Sequence, residues 1–155
     1  MAVTIPGAVA SAAREFGDAP ALADTALADT ALAEPALAEP DGLRLSYREL
    51  DERVTAVAAA LIAQGVAPAD RVAIWAPNTY HWVLAALGAL SAGATLVPVS
   101  TRFTGPEALD VIGRSGARAL FVAGDFLGVD RLAALRAAAA AEADGTGGAP
   151  RTSSA

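Results

Sequence analysis

The segment RVAIWAPNTYHWVLAALGALSAGATLVPVST, residues 71–101, predicts a strand, a helix and a second strand, all of them buried. Its opening RVAIWA is a continuous apolar run of strand length, as expected for a parallel strand covered on both faces. Asn78 or Thr79 then caps a helix that runs to about Ala92 and carries no charge, so we expect it to be buried all round. After Gly93, ATLVPV is the next strand.

A membrane span is the alternative interpretation of this segment. Residues 72–101 carry no formal charge, and the 18 residues of WVLAALGALSAGATLVPV approach the length that crosses a bilayer. However, the run is interrupted by Asn78, His81, Gly93 and Pro98, and it ends in the β-prone TLVPV. We therefore expect no membrane span.

A strand and a helix precede this segment. LRLSY, residues 43–47, has the length and composition of a short strand, and Ser46 with Glu49 forms the S-x-x-E capping box that opens a helix. Apolar residues then fall at steps of four, three and four and make one stripe along that helix: Leu50, Val54, Val57 and Leu61. Gly65 is suited to end the helix.

The same alternation continues after the segment. Thr104 and Glu107 repeat the capping signal, and the helix that they open is expected to end near Gly116. RALFVA, residues 118–123, is a third core strand, and Asp130 can cap a final helix, DRLAALRAAAAAEA. This βαβαβα order predicts an α/β fold with a parallel, layered sheet, flanking helices and right-handed crossovers.

A tandem repeat lies ahead of these elements. Residues 21–40 read ALADT ALADT ALAEP ALAEP, and a period of five residues matches neither a helix nor a strand. We interpret the repeat as a loop expansion, with an interaction arm as the alternative, because loops accept insertions at small cost. With one unit kept, the text GDAPALAEPDGLRLSYREL has the pattern of a β-hairpin that turns at Asp41 and Gly42.

The composition excludes several classes of function. The net charge is −6 and no basic cluster occurs, which argues against nucleic-acid binding, because phosphate neutralisation needs clustered Lys or Arg. The chain has no Cys and therefore no disulfide and no thiol nucleophile. All 11 basic residues are arginines, so the chain lacks a P-loop and any catalytic lysine.

Few residues have the pattern of a catalytic or metal site. His81 is the single histidine, and no nucleophile and orienting acid are patterned around it, so we expect a structural role and predict no metal site. Two carboxylate pairs lie on predicted polar faces or loops, where solvated surface is the default interpretation: Asp51 with Glu52, and Asp125 with Asp130. No catalytic residue is therefore assigned.

One polar cluster lies where ligands collect in α/β folds. Ser100, Thr101 and Arg102 follow the ATLVPV strand, which places them at the carboxyl edge of the predicted sheet. An arginine at that edge is suited to bind a phosphate or a carboxylate. The alternative is a surface arginine at a strand exit.

Three stretches of the sequence resemble the first part of the adenylate-forming superfamily, the AMP-dependent acyl-CoA synthetases and ligases. LSYRELDERV resembles the family's L-S/T-Y-x-E-L segment, and LSAGATLVPVSTRFT resembles its A-G-A-x-x-V-P segment, which ends N/D-x-R. GVAPADRVAIWAPN, between them, is similar to the family's G-V-x-x-G-D-R-V-A pattern. The resemblance covers roughly residues 5–140, and IWAPN, TRF and GDFLGVD look most like bacterial medium-chain or steroid-fragment acid:CoA ligases.

The resemblance implies a reaction and a set of cofactors. Family members use ATP and Mg²⁺ to activate a carboxylic acid as an acyl-adenylate, with loss of pyrophosphate, and then pass the acyl group to CoA. Arg102 matches the arginine of the N/D-x-R segment, which in some CoA ligases lies near the phosphates of the CoA nucleotide, and Ser100 stands where Asn or Asp is usual. The phosphate loop ending P-K-G, the Y-G-x-T-E segment, the ribose-binding Asp and the C-terminal lysine do not occur in these 155 residues. We therefore expect none of ATP, Mg²⁺ and CoA to bind this chain tightly.

The chain then divides into four regions. They are an N-terminal helix and strand region at 1–20, the repeat insertion at 21–40, a partial N-terminal domain of an AMP-binding enzyme at 41–142, and a small polar tail, expected to be disordered, at 143–155. The leading hypothesis is a truncated acyl-CoA ligase, cytoplasmic and inactive alone. The alternative is a non-catalytic α/β module that binds a partner protein through its open sheet edge.

Overall fold

A three-stranded parallel sheet with helices packed on it forms the centre of the fold. The computed structural model describes residues 4–24 and 43–146 of the chain. In chain order, the elements are α1 (Ile5–Phe16), β1 (Pro20–Asp24), β2 (Leu43–Ser46), α2 (Tyr47–Ala63), β3 (Arg71–Trp75), α3 (Tyr80–Ser91), β4 (Thr95–Pro98), α4 (Gly105–Ser115), β5 (Ala119–Val122), β6 (Asp125–Phe126), β7 (Val129–Asp130) and α5 (Arg131–Thr146).

The central strand of the sheet, β3, carries its most buried residues. The strand order is β4–β3–β5, and β3 runs parallel to both neighbours, with Val72 opposite Leu96 on one side and Ala119 on the other. The side chains of Val72, Ala73 and Ile74 are fully buried, as a strand covered on both faces requires. The predicted α/β fold and its three parallel core strands are confirmed.

The helix after β3 is less buried than its lack of charge predicts, since five of its 12 residues are buried and six are half-buried. Of the 12 residues of α3, His81 alone is exposed. Gly88 allows α3 to approach α2 closely, because a Cβ at this position would lie 2.6 Å from Cβ of Val57. Among the helices within residues 4–24 and 43–146, none is both long enough and apolar enough to span a membrane.

Side-chain caps open three of the helices where the sequence predicts them. The backbone N–H groups of Ser46 and Thr104 donate to the carboxylates of Glu49 and Glu107, each at 2.8 Å, so both capping boxes are present. Oδ1 of Asp130 accepts the N–H of Ala133 at 3.0 Å in the first turn of α5. These caps fix where α2, α4 and α5 begin.

The strands β1 and β2 form the expected antiparallel pair, with Leu22 opposite Leu45. The predicted loop over 21–40 is wrong at its start, because residues 21–24, from the first repeat unit, lie in β1. Apolar packing explains the difference: Leu22 packs against a buried cluster of Leu45, Leu50, Val54 and Leu84. The predicted turn at Asp41 and Gly42 lies outside the described residues.

The last helix extends past the predicted start of the tail. The sequence predicts a disordered tail from residue 143, whereas α5 continues to Thr146. An alanine run has the highest intrinsic helix propensity, and the helix propagates for one further turn beyond it. Residues 147–155 lie outside the described residues.

A methyl group at Gly88 should separate α2 from α3. We expect G88A to lower the free energy of unfolding by about 2 kcal/mol, because the new Cβ overlaps Val57. The matched control is G113A in α4, where a Cβ would meet nothing within 4 Å. This change should raise stability by up to about 1 kcal/mol through helix propensity. Urea unfolding measures both, and equal stabilities for the two variants would contradict the close packing at Gly88.

The two capping boxes should make stability depend on pH. Hydrogen bonds from Ser46 lower the pKa of Glu49, and hydrogen bonds from Thr104 lower the pKa of Glu107. The ionised carboxylates therefore stabilise the fold above the ordinary glutamate pKa, and this contribution is lost as the pH falls through the lowered values.

We expect the E49Q/E107Q variant to show a smaller fall in Tm than the parent between about pH 6 and about pH 3.5, measured by circular dichroism. The control variant E15Q/E52Q makes the same charge change at exposed positions outside the capping boxes. If the Tm of E49Q/E107Q fell by the same amount as that of the parent, this role of the capping boxes would be contradicted.

Candidate functional site

The carboxyl ends of β3, β4 and β5 meet at one edge of the sheet, the position at which open α/β folds bind ligands. Three segments converge there: the turn after β4, the hairpin of β6 and β7, and the first residue of α5. The hairpin register places Asp125 opposite Asp130 and Phe126 opposite Val129. This edge is the candidate site.

The predicted cluster of Ser100, Thr101 and Arg102 lies in the turn that follows β4. The N–H of Phe103 donates to the carbonyl oxygen of Ser100 at 3.1 Å, and the N–H of Arg102 donates to Oγ of Ser100 at 3.3 Å. The side chain of Arg102 is exposed, and within the described ranges its guanidinium makes no hydrogen bond or ion pair. The guanidinium of Arg102 is therefore available at the sheet edge to bind an anion.

A second arginine lies beneath this turn and was not identified from the sequence. Arg131, the first residue of α5, is 4% exposed. Its Nη2 donates to the carbonyl oxygen of Thr101 and its Nη1 to the carbonyl oxygen of Phe126, both at 3.0 Å. Its guanidinium carbon lies 4.6 Å from the ring centre of Phe126 and 5.7 Å from that of Trp75. Arg131 thus joins the turn after β4 to the β6–β7 hairpin.

Desolvation opposes the charge of Arg131, although carbonyl oxygens and aromatic rings surround it. Burial lowers the pKa of Arg131, and its Nε is buried without a hydrogen-bond partner among the described residues. Its position at the first turn of a helix also sets a cation against the positive end of the helix dipole. The sequence held one signal of a tertiary role for Arg131: a basic residue directly follows the cap Asp130, at the helix end where a positive charge is unfavourable.

The indole of Trp75 makes a further hydrogen bond to the turn at this edge. Trp75 ends β3 and is buried, and its Nε1 donates to the carbonyl oxygen of Ser100 at 2.9 Å. The N–H of Arg131 donates to the carbonyl oxygen of Gly124, just beyond β5, at 3.0 Å. The ends of the three core strands are therefore joined by the side chain of Trp75 and by the side chain and backbone N–H of Arg131.

An apolar pocket of about 340 Å³ lies beside this cluster, between the ends of β3 and β5 and the start of α3. His81 and Trp82 from α3 and Phe121 from β5 are among its lining residues. Burial lowers the pKa of His81, and the nearby carboxylate of Asp24 opposes this shift. The imidazole ring lies against the ring of Tyr80, with the ring centres 3.8 Å apart and the planes tilted by 32°. The structural role expected for His81 stays a prediction.

Asp24 caps α3 although it lies far from this helix in the sequence, and its capping role was not identified from the sequence. Thr79 precedes the helix but makes no side-chain cap; instead, Oδ2 of Asp24 accepts the N–H of Tyr80 at 2.7 Å. Asp24 is 9% exposed and belongs to β1, so this bond ties the hairpin to the α/β core. The partner residues are 56 positions apart, a separation that no local pattern reveals.

The acidic residues singled out in the sequence lie apart from this edge or on its surface. Asp125 and Asp130 face each other across the hairpin and are exposed, and Glu52 is exposed on α2. In the part of the chain that the structure describes, no group of three or more His, Cys, Asp or Glu side chains could hold a metal ion.

Comparison with known proteins identifies what this arrangement is similar to. Residues 9–153 match the model of the AMP-binding enzyme family. A 133-residue alignment, 86% of this chain and 23% of the relative, is 50% identical to 3-[(3aS,4S,7aS)-7a-methyl-1,5-dioxo-octahydro-1H-inden-4-yl]propanoyl:CoA ligase of Rhodococcus jostii. The ligase of the same description from Mycobacterium tuberculosis is 57% identical over 96 residues, 62% of this chain and 19% of the relative. The chain thus spans about a fifth of the length of these curated relatives.

Solved structures show the same fold. The N-terminal domain of FACL13 from Mycobacterium tuberculosis superimposes with a TM-score of 0.62 at 26% identity, covering 75% of this chain and 26% of that one. A fatty acyl CoA synthetase from Mycobacterium tuberculosis also gives 0.62 at 25% identity, covering 75% of this chain and 20% of that one. The resemblance drawn from the sequence motifs is confirmed. The chain belongs to the AMP-binding enzyme family, and its α/β part has the fold found in the N-terminal region of adenylate-forming ligases.

Proposed function

We propose that this chain supplies the N-terminal part of an acid:CoA ligase. The reaction of that enzyme joins a carboxylate to ATP, with Mg²⁺, to give an acyl-adenylate and pyrophosphate; the CoA thiol then displaces AMP and forms the thioester. The observation that carries the proposal is the 50% identity to a CoA ligase over 86% of the chain. A cytoplasmic location forms part of the proposal.

The acid substrate that we propose is a propanoate attached to a fused two-ring ketone. Both relatives that act on such an acid are at least 50% identical to this chain. Identity falls to 37% for a fatty acid ligase that loads an acyl-carrier protein and to 35% for a mitochondrial medium-chain acyl-CoA ligase. A ring-containing acid is therefore favoured over a linear fatty acid.

Arg102 is the residue that we propose for the phosphates of CoA. Its guanidinium is exposed at the carboxyl edge of the sheet, and guanidinium groups bind phosphate oxygens through paired, charge-assisted hydrogen bonds. The turn that carries it is fastened from below by Trp75 and Arg131, which limits the conformational freedom lost on binding.

Adenylation also needs groups that these 155 residues do not contain. The sequence has no lysine. It also lacks two segments of the family that it resembles, the Ser/Thr/Gly-rich loop ending P-K-G and the Y-G-x-T-E segment. We therefore propose that the chain alone is inactive. A non-catalytic module that binds a partner protein is the competing function.

The purified chain should release no pyrophosphate. We expect a coupled assay with ATP, Mg²⁺, CoA and the two-ring propanoate to show the same rate with and without the chain, because no lysine is available to orient the reacting groups. The Rhodococcus jostii ligase under the same conditions is the positive control. Pyrophosphate release that depends on the chain would contradict the proposed inactivity.

A chimeric enzyme tests the proposed contribution directly. The aligned 133-residue segment of the Rhodococcus jostii ligase is replaced by the corresponding segment of this chain. We expect CoA thioester formation to persist, and R102A in the chimera to raise the KM for CoA about tenfold with little change in the KM for ATP, as for loss of one charged contact.

The matched control is R114A, which removes an exposed arginine that pairs with Asp110 on the surface of α4. It should leave both KM values unchanged, because an exposed ion pair contributes little. A chimera that folds but forms no thioester would overturn the proposed ligase role and favour the non-catalytic module. Equal effects of R102A and R114A would overturn the role of Arg102 alone.

A further inference from the structure

We propose that Arg131 is the positioning residue for Arg102: its buried guanidinium holds the turn after β4 so that Arg102 faces an incoming CoA phosphate. The proposal rests on the function proposed above, since it concerns the same site. It assigns to Arg131 a role that acts through Arg102, without contact between Arg131 and the substrate.

The contacts of Arg131 are directed at the backbone of the turn. Nη2 of Arg131 donates to the carbonyl oxygen of Thr101, the residue directly before Arg102, at 3.0 Å. Trp75 holds the preceding carbonyl, that of Ser100, at 2.9 Å. Two successive peptide groups are therefore fixed from the buried side, and the next side chain in sequence is the exposed Arg102.

Packing alone does not account for a guanidinium at this position. Arg131 is 4% exposed, and the described residues supply carbonyl oxygens and aromatic rings around it but no carboxylate partner. Its Nε has no hydrogen-bond partner there. Burying a charge without a counter-ion costs free energy, and an apolar side chain could fill the space between two rings without that cost. An apolar residue could not replace the planar guanidinium, which donates to two carbonyl oxygens at once.

The orientation of Arg102 depends on these ties because its own side chain has no other support. Within the described ranges its guanidinium makes no hydrogen bond or ion pair. Release of the Thr101 carbonyl would leave the peptide group between Thr101 and Arg102 with only the longer hydrogen bond, 3.3 Å, from its N–H to Oγ of Ser100, and the arginine would sample more directions. A phosphate would then bind only after this freedom was lost, which weakens affinity.

Limited trypsin digestion of the full chain tests the tie without any activity assay. Trypsin cleaves after arginine here, since the chain has no lysine. We expect R131M to speed cleavage after Arg102 about tenfold, as for loss of a hydrogen bond from a charged donor, and R131K to give an intermediate rate. The control is R136M, the same change at an exposed position of the same helix.

The digestion also distinguishes a local effect from general loss of stability. Cleavage after Arg53, which lies in the middle of α2, should keep its rate in R131M. Unchanged cleavage after Arg102 in R131M, or equal acceleration after Arg53 and Arg102, would overturn the proposal. R131K keeps the test decisive where R131M fails to fold, because the lysine retains the charge and loses the paired donors.

A double-mutant cycle in the chimeric ligase tests whether Arg131 affects CoA binding through Arg102. R131M should raise the KM for CoA by about tenfold and leave kcat and the KM for ATP nearly unchanged, with R131K intermediate. In an R102A background, R131M should then have no further effect, because it acts through Arg102. A residue that only supported the fold would change all parameters and would do so in both backgrounds.

The outcomes separate this inference from the function on which it rests. A parent chimera that folds but is inactive defeats the proposed ligase role, and the trypsin result then decides whether Arg131 holds the turn. An active chimera in which R131M and R102A raise the KM for CoA independently overturns the positioning role and leaves the ligase role intact.

Discussion

Burial of the last four residues of β3, Val72 to Trp75, is the constraint on which the other elements depend. Val72, Ala73 and Ile74 are fully buried, and the strand hydrogen-bonds to a neighbour on each side. Because a strand in this position has apolar neighbours on both faces, helices must cover both sides of the sheet. The absence of charge in α3 and the missing side chain at Gly88 follow from this, since α3 is packed between the sheet and α2.

The same strand also sets the position of the candidate site. Trp75 is its last residue, and the indole N–H reaches the turn after β4 while the ring lies beside the guanidinium of Arg131. The buried core and the exposed edge are thus joined through one side chain. The turn that carries Arg102 is consequently supported by the core, although loops at such an edge are ordinarily among the less constrained parts of a protein.

The sequence predicted those features that depend on neighbouring residues. Hydrophobic runs revealed the three core strands, and Ser46 with Glu49 and Thr104 with Glu107 revealed two helix starts, because a capping box is built within four residues. The contacts that it did not reveal join distant positions: Asp24 with Tyr80, and Arg131 with Thr101. The location of Arg102 followed from its place after a strand, but its support did not.

The participation of the first repeat unit in β1 has a consequence for how the gene can vary. Each unit reads Ala-Leu-Ala followed by Asp or Glu, so removal of whole units brings an equivalent leucine and carboxylate to the positions of Leu22 and Asp24. Addition of units after Asp24 leaves the residues of β1 unchanged. Unit number therefore changes the net charge in steps of one while the folded part keeps its residues, and slippage of the repeated DNA is a change that this fold can tolerate.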